Sequence, residues 1–214
     1  CNNEIHQMTK SWPDRFAAIG LLVGHRLFPP QDGERNAERL RELVTERGLA
    51  GLRLGPIYDR DVRWLDDTLC DSLWVAAGDL GVTFNVFLAP EQLQQLGVMA
   101  ERHPAVNVVI DHFAMIDINR PDEEGIDRIV ELARLSNIHV RTSLHNPSKQ
   151  KRPPFHDMWP YLRRVYDAFG PRRLLWANFY EYLIMAEMID FFTSEDRCWI
   201  LGGTAQSLYF GKQA

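Results

Sequence analysis

An acid and an imidazole close a short apolar run in the middle of the chain. Residues 106–112 read Val-Asn-Val-Val-Ile-Asp-His, so Asp111 and His112 follow three β-branched residues. Such a run is typical of a strand buried on both faces, and the carboxyl ends of these strands are where α/β proteins bind ligands. Both are therefore catalytic candidates: His112 to transfer a proton near neutral pH, and Asp111 to orient it. The alternative is that both belong to a hydrogen-bonded core.

Further polar side chains lie at the ends of other apolar runs. Arg53 stands in Gly-Leu-Arg-Leu, and its planar guanidinium suits two-point binding of a substrate carboxylate, unless it forms a buried ion pair. His25 and His145 are candidates for substrate contact, with loop histidines that have no role as the alternative. Asn85 and Asn178 are predicted to donate hydrogen bonds to an oxyanion, or else to satisfy backbone groups.

The elements that must position these residues alternate between short apolar runs and longer amphipathic stretches, which is the pattern of βα units. Six units without an interrupting linker fit either an open doubly wound sheet or most of an eight-stranded barrel. The chain has no Gly-x-Gly-x-x-Gly or Gly-x-x-x-x-Gly-Lys loop, which favours the barrel. The predicted strands are Phe16–Val23, Gly51–Leu54, Val82–Phe87, Val106–Ile110, Ile138–Leu144 and Arg173–Trp176; the predicted helices are Glu34–Arg47, Thr68–Leu80, a segment after Pro90, Glu123–Leu135, Asp157–Phe169 and Leu183–Phe192, with a final segment at Trp199–Phe210.

Composition limits the class of protein. With 214 residues, of which 45% are hydrophobic, the chain is predicted to form a single domain over residues 1–214. A net charge of −5 disfavours nucleic acid and anionic membranes as partners, and no apolar run is long enough to span a bilayer, so a small-molecule substrate is expected. Three scattered cysteines indicate a reducing compartment, and we expect a cytoplasmic protein. A chain that begins at Cys1 is expected to be truncated or processed.

Several segments together resemble the amidohydrolase-related family of metal-dependent hydrolase barrels, which includes sugar-lactone lactonases, dicarboxylate lactonases and aromatic-acid decarboxylases. The resemblance runs nearly end to end and implies an α/β fold, a TIM-type (β/α)8 barrel of which strands three to eight are present and the N-terminal part is missing. It also implies that the His112 imidazole contacts the substrate carbonyl or the attacking water, and that Arg53 holds an anionic group. The segments that carry it are Pro13–Phe16, Gly48–Leu54, Val108–His112, Phe169–Trp176 and Leu201–Ala205.

The resemblance also implies a zinc-type divalent metal, but the His-x-His pair of the family's first strand does not occur here. The principal metal ligands are therefore expected to be absent from this chain. Where the family's last strand reads Trp-Gly-Ser-Asp, this chain reads Trp-Ala-Asn-Phe from Trp176. Asn178 or Glu181 is expected to take the place of the aspartate, although an amide cannot act as a general base.

Two classes of function follow from these residues. The first is an amidohydrolase-like hydrolase, nearest to a lactonase, that acts on a small carboxylated or lactone-type substrate. Decarboxylase activity and metal-free lactone hydrolysis are the alternatives within this class. The second is a degenerate, inactive barrel that binds a ligand or a protein. In either case a partner chain or a second copy is expected to cover the open barrel edges, because exposed edges promote aggregation.

Overall fold

A sheet of six parallel strands in sequential order organises the molecule, as seen in a computed structural model that describes residues 2–22, 33–119 and 124–210. A doubly wound sheet reverses its strand order partway across, whereas a barrel adds each new strand beside the previous one. The observed order β1-β2-β3-β4-β5-β6 is therefore the barrel arrangement. The strands are β1 (Ala18–Gly20), β2 (Leu49–Leu54), β3 (Thr83–Val86), β4 (Val108–Ile110), β5 (Ile138–Thr142) and β6 (Leu174–Trp176).

Helices follow the strands in the places that periodicity predicts. The predicted helix ends at Leu80 and Phe169 are confirmed, each followed by a glycine with positive φ, Gly81 at 66° and Gly170 at 70°, a conformation that only glycine adopts without strain. The helices are α1 (Asn2–Ser11), α2 (Gly33–Arg47), α3 (Asp71–Leu80), α4 (Leu93–Arg102), α5 (Glu124–Glu131), α6 (Trp159–Phe169), α7 (Ser194–Cys198) and α8 (Thr204–Tyr209).

The predictions near the two ends of the chain were less accurate. Helix α1 has no buried residue and was not predicted, because its apolar side chains form no wide stripe. The predicted helix Leu183–Phe192 is a π-helical turn over Ile184–Met188. The final segment divides into a second π-helical turn, Trp199–Gly203, and α8.

The two faces of the sheet have different partners. The outer face carries apolar side chains such as Leu52, Phe84 and Val108, which pack in the main core with the helices. The inner face is more polar and is covered in part by Leu208 and Tyr209 of α8, which form a second, smaller cluster. The register aligns the inner-face residues in rows, because neighbours in a parallel sheet point the same way. The rows pair Gly51 with Thr83, Arg53 with Asn85, Asn85 with Val109, Val109 with His139, and Arg141 with Leu175.

We predict that the buried His139 makes the fold sensitive to acid. Burial lowers the pKa of its imidazole from 6.5 to about 4, so below pH 6.5 the unfolded chain takes up a proton that the folded chain does not. Stability is then lost progressively between pH 6.5 and 4, by about 2 kcal/mol at pH 5. Urea unfolding at pH 7 and pH 5 measures this loss.

The matched variants are His139→Gln, which removes the titrating group, and His156→Gln, which alters an exposed histidine. The loss between pH 7 and pH 5 is expected to shrink in the first variant and to persist in the second. An unchanged loss in His139→Gln would show that other groups cause the acid sensitivity.

Candidate active site

A buried carboxylate shared by two arginines lies at the carboxyl ends of β2, β4 and β5. Asp111 is 1% exposed; its Oδ2 lies 3.2 Å from Nε of Arg53, and its Oδ1 lies 3.1 Å from Nη1 of Arg141. Both guanidinium groups reach it from strands on either side of β4. Two positive charges on one negative charge leave a surplus of one, at the end of the sheet where ligands bind in this architecture.

Sequence reasoning predicted Arg53 and Asp111 but missed Arg141. The alternation of strand side chains gives a signal that identifies its face, since Arg141 follows the inner-face residue His139 by two positions. No pattern in the sequence connects it to Asp111, because that contact joins two strands. The ion pair that was the alternative for Arg53 is therefore present, with Asp111 as its partner.

His112 leaves the strand through a left-handed turn. The four residues His112, Phe113, Ala114 and Met115 have φ values of 53°, 51°, 52° and 53°. Each non-glycine residue in this conformation costs roughly 1–2 kcal/mol, and strained backbone of this kind concentrates at functional sites. Phe113 and Ala114 are fully buried, so their packing holds the turn in place.

The surroundings of the His112 ring favour its neutral form. Burial lowers the pKa of the imidazole; the charges of Arg141 and Arg53 lower it further, and Asp111 opposes them. The ring meets Phe87 edge-on, with 6.0 Å between centroids, and the Arg53 guanidinium lies 4.6 Å above the same Phe87 ring. The Nδ1 atom of His112 is buried and has no hydrogen-bond partner among the described residues. A neutral imidazole of this kind is able to accept a proton at neutral pH.

A second polar group joins the ends of β5 and β6. Glu181 is fully buried, and its Oε1 accepts a hydrogen bond from the backbone N–H of His145 at 2.8 Å. Asn178 donates from Nδ2 to Oγ of Ser143 at 3.1 Å and lies 3.4 Å from Oε1 of Glu181. Burial raises the pKa of the Glu181 carboxyl, against the hydrogen bonds that it accepts. Its Oε2 has no partner within the described ranges.

The structure therefore divides the predicted site residues into two groups. Asp111, His112 and Arg53 come together, and Asn85 lies in register with Arg53, where its Oδ1 accepts a hydrogen bond from Tyr209. The other group consists of His145, Asn178 and Glu181 at the ends of the next two strands. His25 lies outside the described residues.

The donor atoms present do not fit a resident metal ion. In the part of the chain that the structure describes, no group of three or more histidine, cysteine, aspartate or glutamate side chains is arranged to hold one. The one buried carboxylate beside His112 is already paired with two guanidinium groups, which would repel a cation. The same described residues contain no helix that is both long and apolar enough to cross a bilayer.

We predict that Asp111→Asn destabilises the fold, because it leaves two arginines facing each other without their shared counter-charge. Breaking a buried pair costs roughly 3–5 kcal/mol, and the partial exposure of both arginines reduces this to about 2 kcal/mol. Asp167→Asn breaks an exposed pair with Arg163 and is expected to cost less than about 0.5 kcal/mol. Equal midpoints of urea unfolding for the two variants would contradict a structural role for Asp111.

Solved structures with this architecture come from several bacterial hydrolases. A Burkholderia multivorans amidohydrolase with bound HEPES matches with a TM-score of 0.76 at 23% identity, over 98% of this chain and 80% of that one. A second crystal form of that amidohydrolase, with bound zinc, matches at 0.56 and 17% identity, over 97% and 87%. A probable 2-pyrone-4,6-dicarboxylic acid hydrolase from Acinetobacter baumannii, with citric acid bound, matches at 0.71 and 16% identity, over 98% and 78%. These likenesses confirm the predicted TIM-barrel fold class.

Sequence comparison gives the family. An L-fucono-1,5-lactonase from Burkholderia ambifaria is 30% identical over 165 residues, which are 77% of this chain and 56% of that protein. The chain thus spans a little over half the length of this curated relative. A family model described as Amidohydrolase matches residues 1–210. The family predicted from the sequence is confirmed: this chain belongs to the amidohydrolase family.

Proposed function

We propose that the protein hydrolyses a small lactone or related cyclic ester, with a preference for substrates that carry a carboxylate. The observation that carries this proposal is the surplus positive charge of Arg53 and Arg141 around Asp111, next to a neutral His112. The Burkholderia ambifaria relative is named a lactonase, and the Acinetobacter baumannii structure is named for a dicarboxylic acid. The relatives are named as enzymes, so an inactive binding module is the less favoured alternative.

The charge around Asp111 supports an anionic substrate. Arginine binds carboxylates through two parallel hydrogen bonds, and each of these arginines keeps donors that Asp111 does not use. Because Asp111 is buried, water is excluded from one side of the ion pairs that it forms with Arg53 and Arg141. The exclusion of water strengthens the electric field at the site. The Phe87 ring under Arg53 helps to hold that guanidinium in place.

The proposed reaction uses His112 as a general base. Its neutral imidazole takes a proton from water while the water oxygen bonds to the lactone carbonyl carbon. The tetrahedral intermediate then breaks the ring C–O bond, and the proton held by His112 passes to the departing alkoxide. The new carboxylic acid releases the second proton of the water to solvent, which leaves a hydroxy acid anion. Arg53 is proposed to hold the anionic group of the substrate during this reaction.

The remaining candidates are proposed as substrate contacts and supports. Asn85 keeps a buried Nδ2 with no partner among the described residues, and this amide is a suitable donor to an oxyanion. His145 and Asn178 are proposed to contact the far side of the substrate. Glu181 anchors both through its Oε1, with its second oxygen directed to substrate or water.

The wider setting of the protein is also a proposal. A zinc-type metal would need ligands outside the described residues. We propose a cytoplasmic location, consistent with the free Cys70 and Cys198. Within the described sheet, the outer strands β1 and β6 each pair with a neighbouring strand on one side only. A partner chain or second copy is proposed to cover their other edges, because open edges promote aggregation.

We predict that His112→Gln lowers kcat/KM by about a hundredfold, because it removes the proton acceptor. Hydrolysis of L-fucono-1,5-lactone and of 2-pyrone-4,6-dicarboxylate measures the effect. In the wild-type protein the activity is expected to fall on the acid side with an apparent pKa below 6.5, since burial lowers the pKa of His112. His156→Gln is the control and should keep full activity. Full activity in His112→Gln excludes this residue as the base.

We predict that Arg53→Lys raises KM for the dicarboxylate about tenfold, because lysine keeps the charge but loses the two-point hydrogen bonding. The uncharged fuconolactone should show less than about a twofold change in KM. Arg163→Lys, on the exposed face of α6, is the matched control. Equal effects on both substrates would contradict an anion-binding role for Arg53.

A further inference from the structure

The loop between β5 and α6, residues 143–158, lies at the end of the sheet that carries the candidate site. It includes His145, whose backbone N–H donates a hydrogen bond to Oε1 of Glu181 at 2.8 Å. Two other residues of the loop, Lys151 and Phe155, have φ values of 50° and 59°. Residues other than glycine keep this conformation only when their surroundings hold it, so contacts within the loop must fix its shape.

A single carboxylate holds the middle of this loop. Asp157 accepts a hydrogen bond at Oδ1 from Oγ of Ser148 at 2.8 Å. Its Oδ2 accepts from the backbone N–H groups of Lys149 at 2.7 Å and Gln150 at 3.2 Å. Ser148 is buried, and its Oγ in turn accepts from the backbone N–H of Lys151 at 3.2 Å. Four consecutive residues are thus tied to Asp157, directly or through Ser148, and hydrogen bonds to a charged acceptor are about twice as strong as neutral ones.

The contacts around Asp157 reach His145 from two directions. The Nζ of Lys151 donates to the backbone carbonyl oxygens of His145 at 3.2 Å and Asn146 at 2.6 Å. The His145 ring meets the Phe155 ring with 5.7 Å between centroids, and the buried Phe155 precedes Asp157 by two residues. From this geometry we infer that Asp157 is a positioning residue, which fixes the loop in one conformation and so holds the His145 ring against Phe155.

The physical need for such a residue comes from the exposure of His145. The bond to Glu181 fixes its backbone at one point, but an exposed side chain on an untied loop would sample several positions. A ligand then binds more weakly, in proportion to the fraction of molecules that present the side chain correctly. The consequence for substrate binding rests on the proposed function, in which His145 contacts the substrate; the positioning itself does not.

The first test needs no substrate. Hydrogen exchange followed by nitrogen-15 NMR should show slowed exchange of the Lys149 and Gln150 amide protons in the wild-type protein, although both residues are exposed. A nuclear Overhauser contact should join the His145 and Phe155 rings. Asp157→Ala removes the acceptor, so exchange of both amide protons is expected to become about tenfold faster or more, as for loss of a hydrogen bond to a charged group. The ring contact should weaken in the same variant.

The matched control is Asp67→Ala. The Asp67 carboxylate also accepts a backbone hydrogen bond, from the N–H of Leu69 at 2.9 Å, in the segment that precedes α3. This variant loses a comparable interaction and should leave exchange of the Lys149 and Gln150 amide protons within about twofold of the wild type. Unprotected amides in the wild type, unchanged exchange in Asp157→Ala, or the same acceleration in both variants overturns the inference.

A second variant keeps the inference testable if Asp157→Ala does not fold. Ser148→Ala removes the hydroxyl group that donates to Asp157 and accepts from the N–H of Lys151. Exchange of the Lys151 amide proton is then expected to become about threefold faster or more, as for loss of a neutral hydrogen bond. Unchanged exchange of this proton would show that the bonds through Ser148 do not hold the loop, and would overturn the inference.

Kinetics then test whether Asp157 acts through His145. In Asp157→Ala, KM for 2-pyrone-4,6-dicarboxylate is expected to rise about fivefold or more with kcat changed less than about twofold, because fewer molecules present His145 correctly. The same change made in a His145→Ala background should raise KM by less than about twofold. An equal rise in both backgrounds overturns the positioning role. If the wild-type protein hydrolyses neither lactone, or His145→Ala alone leaves KM unchanged, it is the proposed function or its contact with His145 that fails, and the exchange and ring-contact measurements decide the inference about Asp157 independently.

Discussion

The pairing of the Asp111 carboxylate with Arg53 and Arg141 is the constraint on which the site depends. A buried carboxylate is tolerated only when its charge is balanced, because its removal from water costs several kcal/mol. The counter-charges come from β2, which is separated from β4 by β3, and from β5, which pairs directly with β4. The ends of four consecutive strands must therefore stay in register for Asp111 to remain buried. This one requirement therefore fixes the strand ends that carry Arg53, Asn85 and Asp111.

The left-handed turn at His112 follows from the same arrangement. Asp111 must point to the inner face to meet the arginines, so an ordinary strand would direct His112 to the opposite, helix-covered face. Positive φ values from His112 to Met115 break that alternation and bring the ring beside Phe87, within the field of both arginines. The packing of Phe113 and Ala114 offsets the strain. The strained turn therefore also places the ring where burial, together with the two arginine charges, lowers the pKa of His112.

The sequence predicts the fold better than the site for a physical reason. Apolar periodicity reports which side chains are buried, and it located β3, β4, α3 and α6 close to their observed bounds. Contacts between strands depend on register, which no local pattern records, so the pairing of Arg141 with Asp111 was missed. The turn at His112 was also unpredictable, because the segment contains no glycine to indicate positive φ. Glu181 could be named from the family pattern, but its burial and its bond to the His145 backbone required the folded chain.

The surplus charge at Asp111 has a further consequence for a reaction that opens a lactone. Hydrolysis of the ring converts a neutral ester into a carboxylate, so the product carries one more negative charge than the substrate. Two unpaired arginines would favour the charge that develops in the transition state, but they would also bind this product tightly and slow its release. Asp111 cancels one of the two positive charges and leaves one, which for an uncharged lactone matches the single charge that hydrolysis creates. In the proposed lactone hydrolysis, the buried carboxylate therefore balances stabilisation of the transition state against release of the product.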